Sequence, residues 1–84
     1  MKPIRLSEHA KEQFIFRGTT EEEIFEAIKT SQWQPAELGR LECRKDFTFE
    51  NEWNKRYYKT KQVRAIFLEE DKEIVVVTVY TYFF

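Results

Sequence analysis

The chain is short of the residues that staple or interrupt a small domain. In 84 residues it has one cysteine, one histidine, one methionine, 2 glycines and 2 prolines. A single thiol, Cys43, cannot form an intramolecular disulfide. One cysteine with one histidine is too few for a Cys/His zinc site, so neither a metal nor another cofactor is expected. A secreted domain of this size usually needs staples, so a reducing cytoplasm is the expected compartment. The sequence also lacks a long apolar run. Its longest uncharged apolar stretch, Ile74 to Phe84, is about half of the ~20 residues that a spanning helix needs. The opening Met-Lys-Pro-Ile-Arg-Leu-Ser-Glu has no apolar h-region, so neither a signal peptide nor a membrane partner is expected.

Net charge is scarce as well. Fourteen Lys+Arg against 15 Asp+Glu leave −1, which excludes a general polycation. The distribution is uneven. Residues 1–37 carry 5 basic and 7 acidic groups, residues 38–68 carry 8 and 4, and residues 69–84 carry 1 and 4. A cationic middle therefore lies between two acidic ends. The chain does have apolar and aromatic residues, at 42% and 17%. That composition excludes disorder and suits one small domain, residues 1–84.

The pattern divides into a helical half and a strand half. Ile4–Leu6 reads as a weak opening strand. Ser7 is a helix N-cap with Glu8 in the first turn, and a helix is expected from Glu8 to about Phe16, stopped by Gly18. Its residues His9, Gln13 and Arg17 share one stripe at i, i+4, i+8. Thr20-Glu21-Glu22-Glu23 is a capping box opening a second helix to about Thr30, with Ile24, Ala27 and Ile28 on its apolar face and Pro35 preventing extension. Period-two alternation then marks a strand through Leu41, Cys43, Phe47 and Phe49. Lys45 breaks the apolar row and suggests a turn or bulge there. Residues 50–54 read as a connection, Arg56–Leu68 as a strand, Glu69–Lys72 as a turn and Glu73–Tyr82 as a strand. That last strand is apolar on both faces, as a central strand would be. The expected architecture is a two-layer α+β domain, with two N-terminal helices on one face of an antiparallel sheet of three to four strands.

Three groups of residues suggest chemistry. His9 is the one side chain whose ordinary titration lies near neutrality, although a histidine near a helix start also serves as a cap or packing residue. From Asn54 to Arg64 the chain has Lys55, Arg56, Lys59, Lys61 and Arg64, with Tyr57 and Tyr58 among them and no acid. Cations interleaved with aromatics suit single-stranded nucleic acid, as charges meet phosphates and rings stack on bases. The same run equally suits a solvated edge strand whose lysines block edge-to-edge pairing. Tyr80 and Tyr82 are candidate proton donors or stacking platforms, or half-buried packing residues. Cys43 sits on an apolar row, as a small buried hydrophobe does.

His9-Ala10, Arg17-Gly18, the Thr20–Ile24 helix start and the strand pair Val63–Phe67 with Ile74–Tyr80 together resemble a small bacterial family of unknown function. The family motif is HAxxRxxxRG, and it is similar to the RelE-like (BrnT-like) toxins of toxin–antitoxin pairs. The resemblance covers about Arg5–Thr30 and Val63–Tyr82. It departs at Gln13, where the family has an arginine, and residues 33–61 have no counterpart. It implies a RelE-like fold and a metal-independent endoribonuclease cutting single-stranded RNA or mRNA. Under that reading His9, Arg17, Arg64 and Tyr80 are catalytic, and Lys55, Arg56, Tyr57, Tyr58, Lys59 and Lys61 bind RNA, with Lys61 also a candidate for the phosphate. The implied partners are RNA and a small cognate antitoxin. The alternative is a non-catalytic module of the same fold that binds protein or RNA, a reading that Gln13 favours because an amide does not neutralise a phosphate.

Overall fold

A computed structural model describes all 84 residues. The elements are β1 (Ile4–Leu6), α1 (Glu8–Phe14), α2 (Glu21–Thr30), β2 (Gln34–Pro35), a 3-10 turn (Glu37–Gly39), β3 (Leu41–Trp53), β4 (Arg56–Glu69) and β5 (Ile74–Phe83). The fold is two-layer α+β, with both helices packed on one face of a single sheet. No helix is long and apolar enough to cross a membrane.

The sheet has five strands in the order β1-β5-β4-β3-β2 and is mixed, not an antiparallel sheet of three to four strands. Two short additions account for the difference. β1 docks parallel to β5, with Ile4 opposite Ile74 and Leu6 opposite Val76. Backbone bonds Ile74 N–H to Pro3 O and Ser7 N–H to Val76 O extend that pairing. β2 is a two-residue antiparallel patch on β3. Pro35 sits there on an edge strand, where a missing N–H is tolerated. A dipeptide shows no alternation, so nothing in its composition announces a strand.

Both helices start as their caps dictate. The Ser7 hydroxyl accepts from Ala10 N–H, and the Thr20–Glu23 capping box closes both ways. α1 ends two residues sooner than expected. The chain leaves the helix through a turn in which Gly18 N–H donates to Ile15 O and Thr19 N–H donates to Phe14 O. Gly18 has φ +74° there. Leu6, Ala10, Ile24, Ala27 and Ile28 bury against Cys43, Val63, Ala65, Phe67, Ile74, Val76 and Val79.

β3 and β4 form one long hairpin. Trp53 is opposite Arg56, and the two linking residues, Asn54 and Lys55, both have positive φ, which makes a type I′ turn. Residues 50–53, expected as a connection, are therefore strand. The irregularity expected near Lys45 lies further along, between Thr48 and Asn51, where Glu50 has φ 47°. Lys45 does not break the apolar row. Its ammonium reaches the Thr30 hydroxyl at 2.8 Å and lies 5.9 Å from the Phe47 ring centre, so a long stem packs while its charge escapes.

A second irregularity, between Ile66 and Phe67, positions the site. Ile66 pairs with Thr78 and Phe67 with Val76, leaving Val77 unpaired. Such a bulge shifts the side-chain alternation by one residue. Ile74, Val76 and Val79 consequently enter the core, while Thr78, Tyr80 and Tyr82 turn to the face without helices. A strand apolar on both sides thus becomes one with a core half and a polar, aromatic half.

Candidate nucleic-acid interface

The helix-free face carries a groove of about 600 Å³. Its floor includes Glu42, Arg64, Ile66, Thr78 and Tyr80, and its wall is the turn from Pro35 to Leu38 with Arg40. Register explains the floor. Arg64 is opposite Tyr80, and Ile66 is opposite both Glu42 and Thr78.

A row of side chains crosses the strands here. The Arg17 guanidinium carbon lies 5.2 Å from the Tyr80 ring centre, and that of Arg64 lies 5.4 Å from it. Arg17 approaches from the α1 side and Arg64 from β4, so the ring sits between two cations, each held to its electron-rich face. Arg17 is carried there by the turn after α1, whose Arg17 carbonyl accepts from the Thr81 hydroxyl. On the other side, Arg64 Nε donates to Glu42 Oε2, and Arg64 Nη1 lies 3.5 Å from the Tyr82 hydroxyl. Arg44 adds a second, longer approach to Glu42 Oε2 at 3.8 Å.

The hydrogen bond from Arg64 holds the Glu42 carboxyl below the usual carboxylate range, with the nearby positive charges of Arg64 and Arg44 acting in the same sense. The Arg64 guanidinium is held more firmly protonated by the same bond. The stabilisation from Glu42 is therefore fully present above the ordinary carboxylate pKa of about 4 and is lost as pH falls through the depressed folded value. Glu42→Gln is expected to lower stability by about 1 kcal/mol at pH 7. The gap between the urea midpoints of the two proteins should narrow as pH falls from about 5 to about 3. A gap that persists unchanged at pH 3 contradicts this account.

Of the sequence candidates, Arg17, Arg64 and Tyr80 come together in this row. His9 is exposed in the first turn of α1, one turn before Gln13 on the same stripe. Gln13 is not idle in place of an arginine, since its amide oxygen accepts from the Thr78 hydroxyl at 2.6 Å and ties α1 to the groove floor. The basic run divides. Lys55, Arg56 and Lys59 are exposed at and beside the hairpin tip, and Tyr57 is 58% exposed. Tyr58 is half-buried and tilts against Phe83. Lys61 lies on the helix side, buried, 2.7 Å from Glu23 and 3.0 Å from the Gly18 carbonyl oxygen. Strand pairing also brings acids to the run, because Glu52 sits opposite Tyr57 and Asp46 accepts from Gln62.

Cys43 is buried, and burial pushes its thiol up to about 11, so it is protonated at neutral pH and unsuited to nucleophilic work. No three His, Cys, Asp or Glu side chains gather to hold a metal ion. The residues that sequence reading passed over are Arg40, Glu42, Arg44 and Thr78. Only the register of β3 on β4 could have revealed Glu42, since it sits 22 residues from Arg64. No protein-family model, curated protein or solved structure matches the chain.

Proposed function

We propose that the chain is a RelE-like toxin of a toxin–antitoxin pair, a metal-independent endoribonuclease that cuts single-stranded RNA in the groove. The observation carrying this reading is the Tyr80 ring between the Arg17 and Arg64 guanidinium groups. It supplies two fixed cations and a phenol on one open face. Cleavage of this kind needs a group to take the 2′-OH proton, charge to stabilise the phosphorane, and a donor for the leaving oxygen. The ribose 2′-oxygen forms a bond to the adjacent phosphorus as the bond to the 5′-oxygen breaks, leaving a 2′,3′-cyclic phosphate and a 5′-hydroxyl. Arg17 and Arg64 neutralise the non-bridging oxygens. Tyr80 protonates the 5′-oxygen, and His9, the one imidazole of the chain, is assigned the 2′ proton although it lies outside the groove lining. Exposed Lys55, Arg56 and Lys59, with Tyr57, guide the strand along the hairpin. The chain works in the cytoplasm, and a cognate antitoxin covers the groove.

The test is incubation with single-stranded RNA in EDTA. Wild-type protein is expected to leave cyclic-phosphate ends. Tyr80→Phe keeps the ring between the arginines and should slow cleavage about 100-fold or more. Equal rates for wild type and His9→Ala remove His9 from the site, and no cleavage by wild type overturns the enzyme. Growth arrest on induction is expected for the toxin. A second reading, a non-catalytic binding module, is favoured by the exposed Ile15, Phe16 and Phe84 side chains. It predicts normal growth and recovery of a protein partner without RNA.

A further inference from the structure

We propose that Arg40, on the wall of the groove, forms a phosphate subsite for a phosphodiester of single-stranded RNA lying on the Tyr80–Arg64 floor. The proposal rests on the RNA reading above and adds a ligand contact that neither the family motif nor the basic run contains.

Four charged side chains line the groove: Glu37, Arg40, Glu42 and Arg64. Their states differ. Arg64 and Glu42 satisfy each other, and Arg44 also approaches Glu42. Glu37 is exposed to water. Arg40 is half-buried, and its guanidinium is in none of the ion pairs or side-chain hydrogen bonds of the fold. None of its nitrogens is buried without a partner, so the guanidinium donors stay open to water and to an incoming acceptor. Arginine's planar fork suits two phosphate oxygens at once. Arg64 shares its charge with Glu42, whereas Arg40 has no carboxylate partner, so Arg40 adds a second groove cation for an incoming anion.

The backbone fixes where that charge sits. Ala36 N–H donates to Arg40 O at 2.8 Å, and Arg40 N–H donates to Glu37 O at 3.2 Å, closing a tight loop. Leu38 and Gly39 are both left-handed at its apex, with φ 60° and 71°. A leucine seldom adopts that conformation, because its Cβ crowds the following carbonyl oxygen. Leu38 is 82% exposed yet lines the groove, so it offers an apolar rim to a sugar or base. On the floor, only Glu42 Oε2 is engaged by arginine. Oε1 remains as an acceptor. A free cation, an apolar rim and a free carboxylate oxygen match phosphate, sugar and base N–H of one nucleotide. The groove volume fits one or two such units.

The test uses a labelled 2′-O-methyl RNA octamer, which binds without being cut, with anisotropy measured from low to high salt. Arg40→Ala is expected to weaken binding about tenfold and to reduce the slope of log affinity against log salt by about 0.7. Arg40→Lys should keep the slope and recover part of the affinity. Lys72→Ala, on the exposed turn between β4 and β5, removes one charge away from the groove and is the control. Arg40→Ala binding like Lys72→Ala overturns the subsite and leaves the RNA reading standing. A parallel titration with inorganic phosphate, followed by NMR of arginine Nε–H groups, separates the two. A shift at Arg40 without binding of the octamer supports the subsite and overturns RNA as its ligand. No shift at Arg40 in saturating phosphate overturns the subsite.

Discussion

Gly18→Ala is expected to destabilise the fold by about 3 kcal/mol, because two separate costs meet at one Cα. The first is conformational: φ is +74°, where a Cβ costs about 1–2 kcal/mol. The second is steric. A Cβ at Gly18 would lie 2.8 Å from Trp53 Cη2 and 2.9 Å from Cζ3. The indole has little freedom to retreat. It stacks on Phe83 at 5.1 Å and 17°, and Phe83 also contacts Phe49 and Tyr58. Overpacking of this kind typically costs a further ~1–3 kcal/mol. For a domain of this size, 3 kcal/mol corresponds to a fall in Tm of roughly 12–24 °C. The two costs separate in a double-mutant cycle. In a Trp53→Ala background only the conformational part should remain, about 1–2 kcal/mol. An equal loss in both backgrounds removes the steric account, and a loss below 1 kcal/mol in the native background removes both.

Gly18 also shows what was legible in the sequence and what was not. A glycine after an amphipathic stretch announces a helix stop, and it is one. The indole that makes it obligatory is 35 residues away and leaves no local mark. The same division runs through the molecule. The Ser7 cap and the Thr20–Glu23 box act over three residues, so both helix starts were readable. The bulge at Val77 depends on the register of β5 against β4, and the run from Ile74 to Tyr82 reads equally well without it. That one residue decides whether Tyr80 faces core or groove. The cationic run misled for a related reason. Five cations along one segment look like one surface, but strand alternation sends neighbours to opposite faces. Lys61 goes beneath the helices, while Arg64, three residues on, goes to the groove. Residues of the groove wall, Arg40 above all, lie in a stretch without periodicity.

Lys61 provides the second large effect, and its sign is the reverse of what an RNA-binding lysine predicts. Glu23→Ala is expected to cost about 3–4 kcal/mol, whereas Lys61→Met should cost about 1–2 kcal/mol. Glu23 Oε1 accepts from Lys61 Nζ at 2.7 Å, from the Thr19 hydroxyl at 3.0 Å and from Thr20 N–H at 3.3 Å. One carboxylate oxygen thus joins the cap of α2 to the sheet beneath. Truncating it opens the capping box and leaves an ammonium, on a side chain 8% exposed, with only the Gly18 carbonyl and the Phe49 ring at 5.3 Å. An uncompensated buried charge is the costlier residue of a broken pair. Truncating the lysine is milder. Glu23 keeps its two cap partners, its side chain is 23% exposed to water, and methionine fills the space of the lysine stem. The double variant should therefore be more stable than Glu23→Ala alone, since methionine removes the stranded charge. Urea denaturation of the four proteins at pH 7 checks this. Simple additivity would show that the pair is not coupled, and a Lys61→Met cost above that of Glu23→Ala would place the main contribution in the lysine itself. In binding assays Lys61→Met should leave the salt slope unchanged, because a charge already spent on Glu23 beneath the helices has no phosphate to release counterions from.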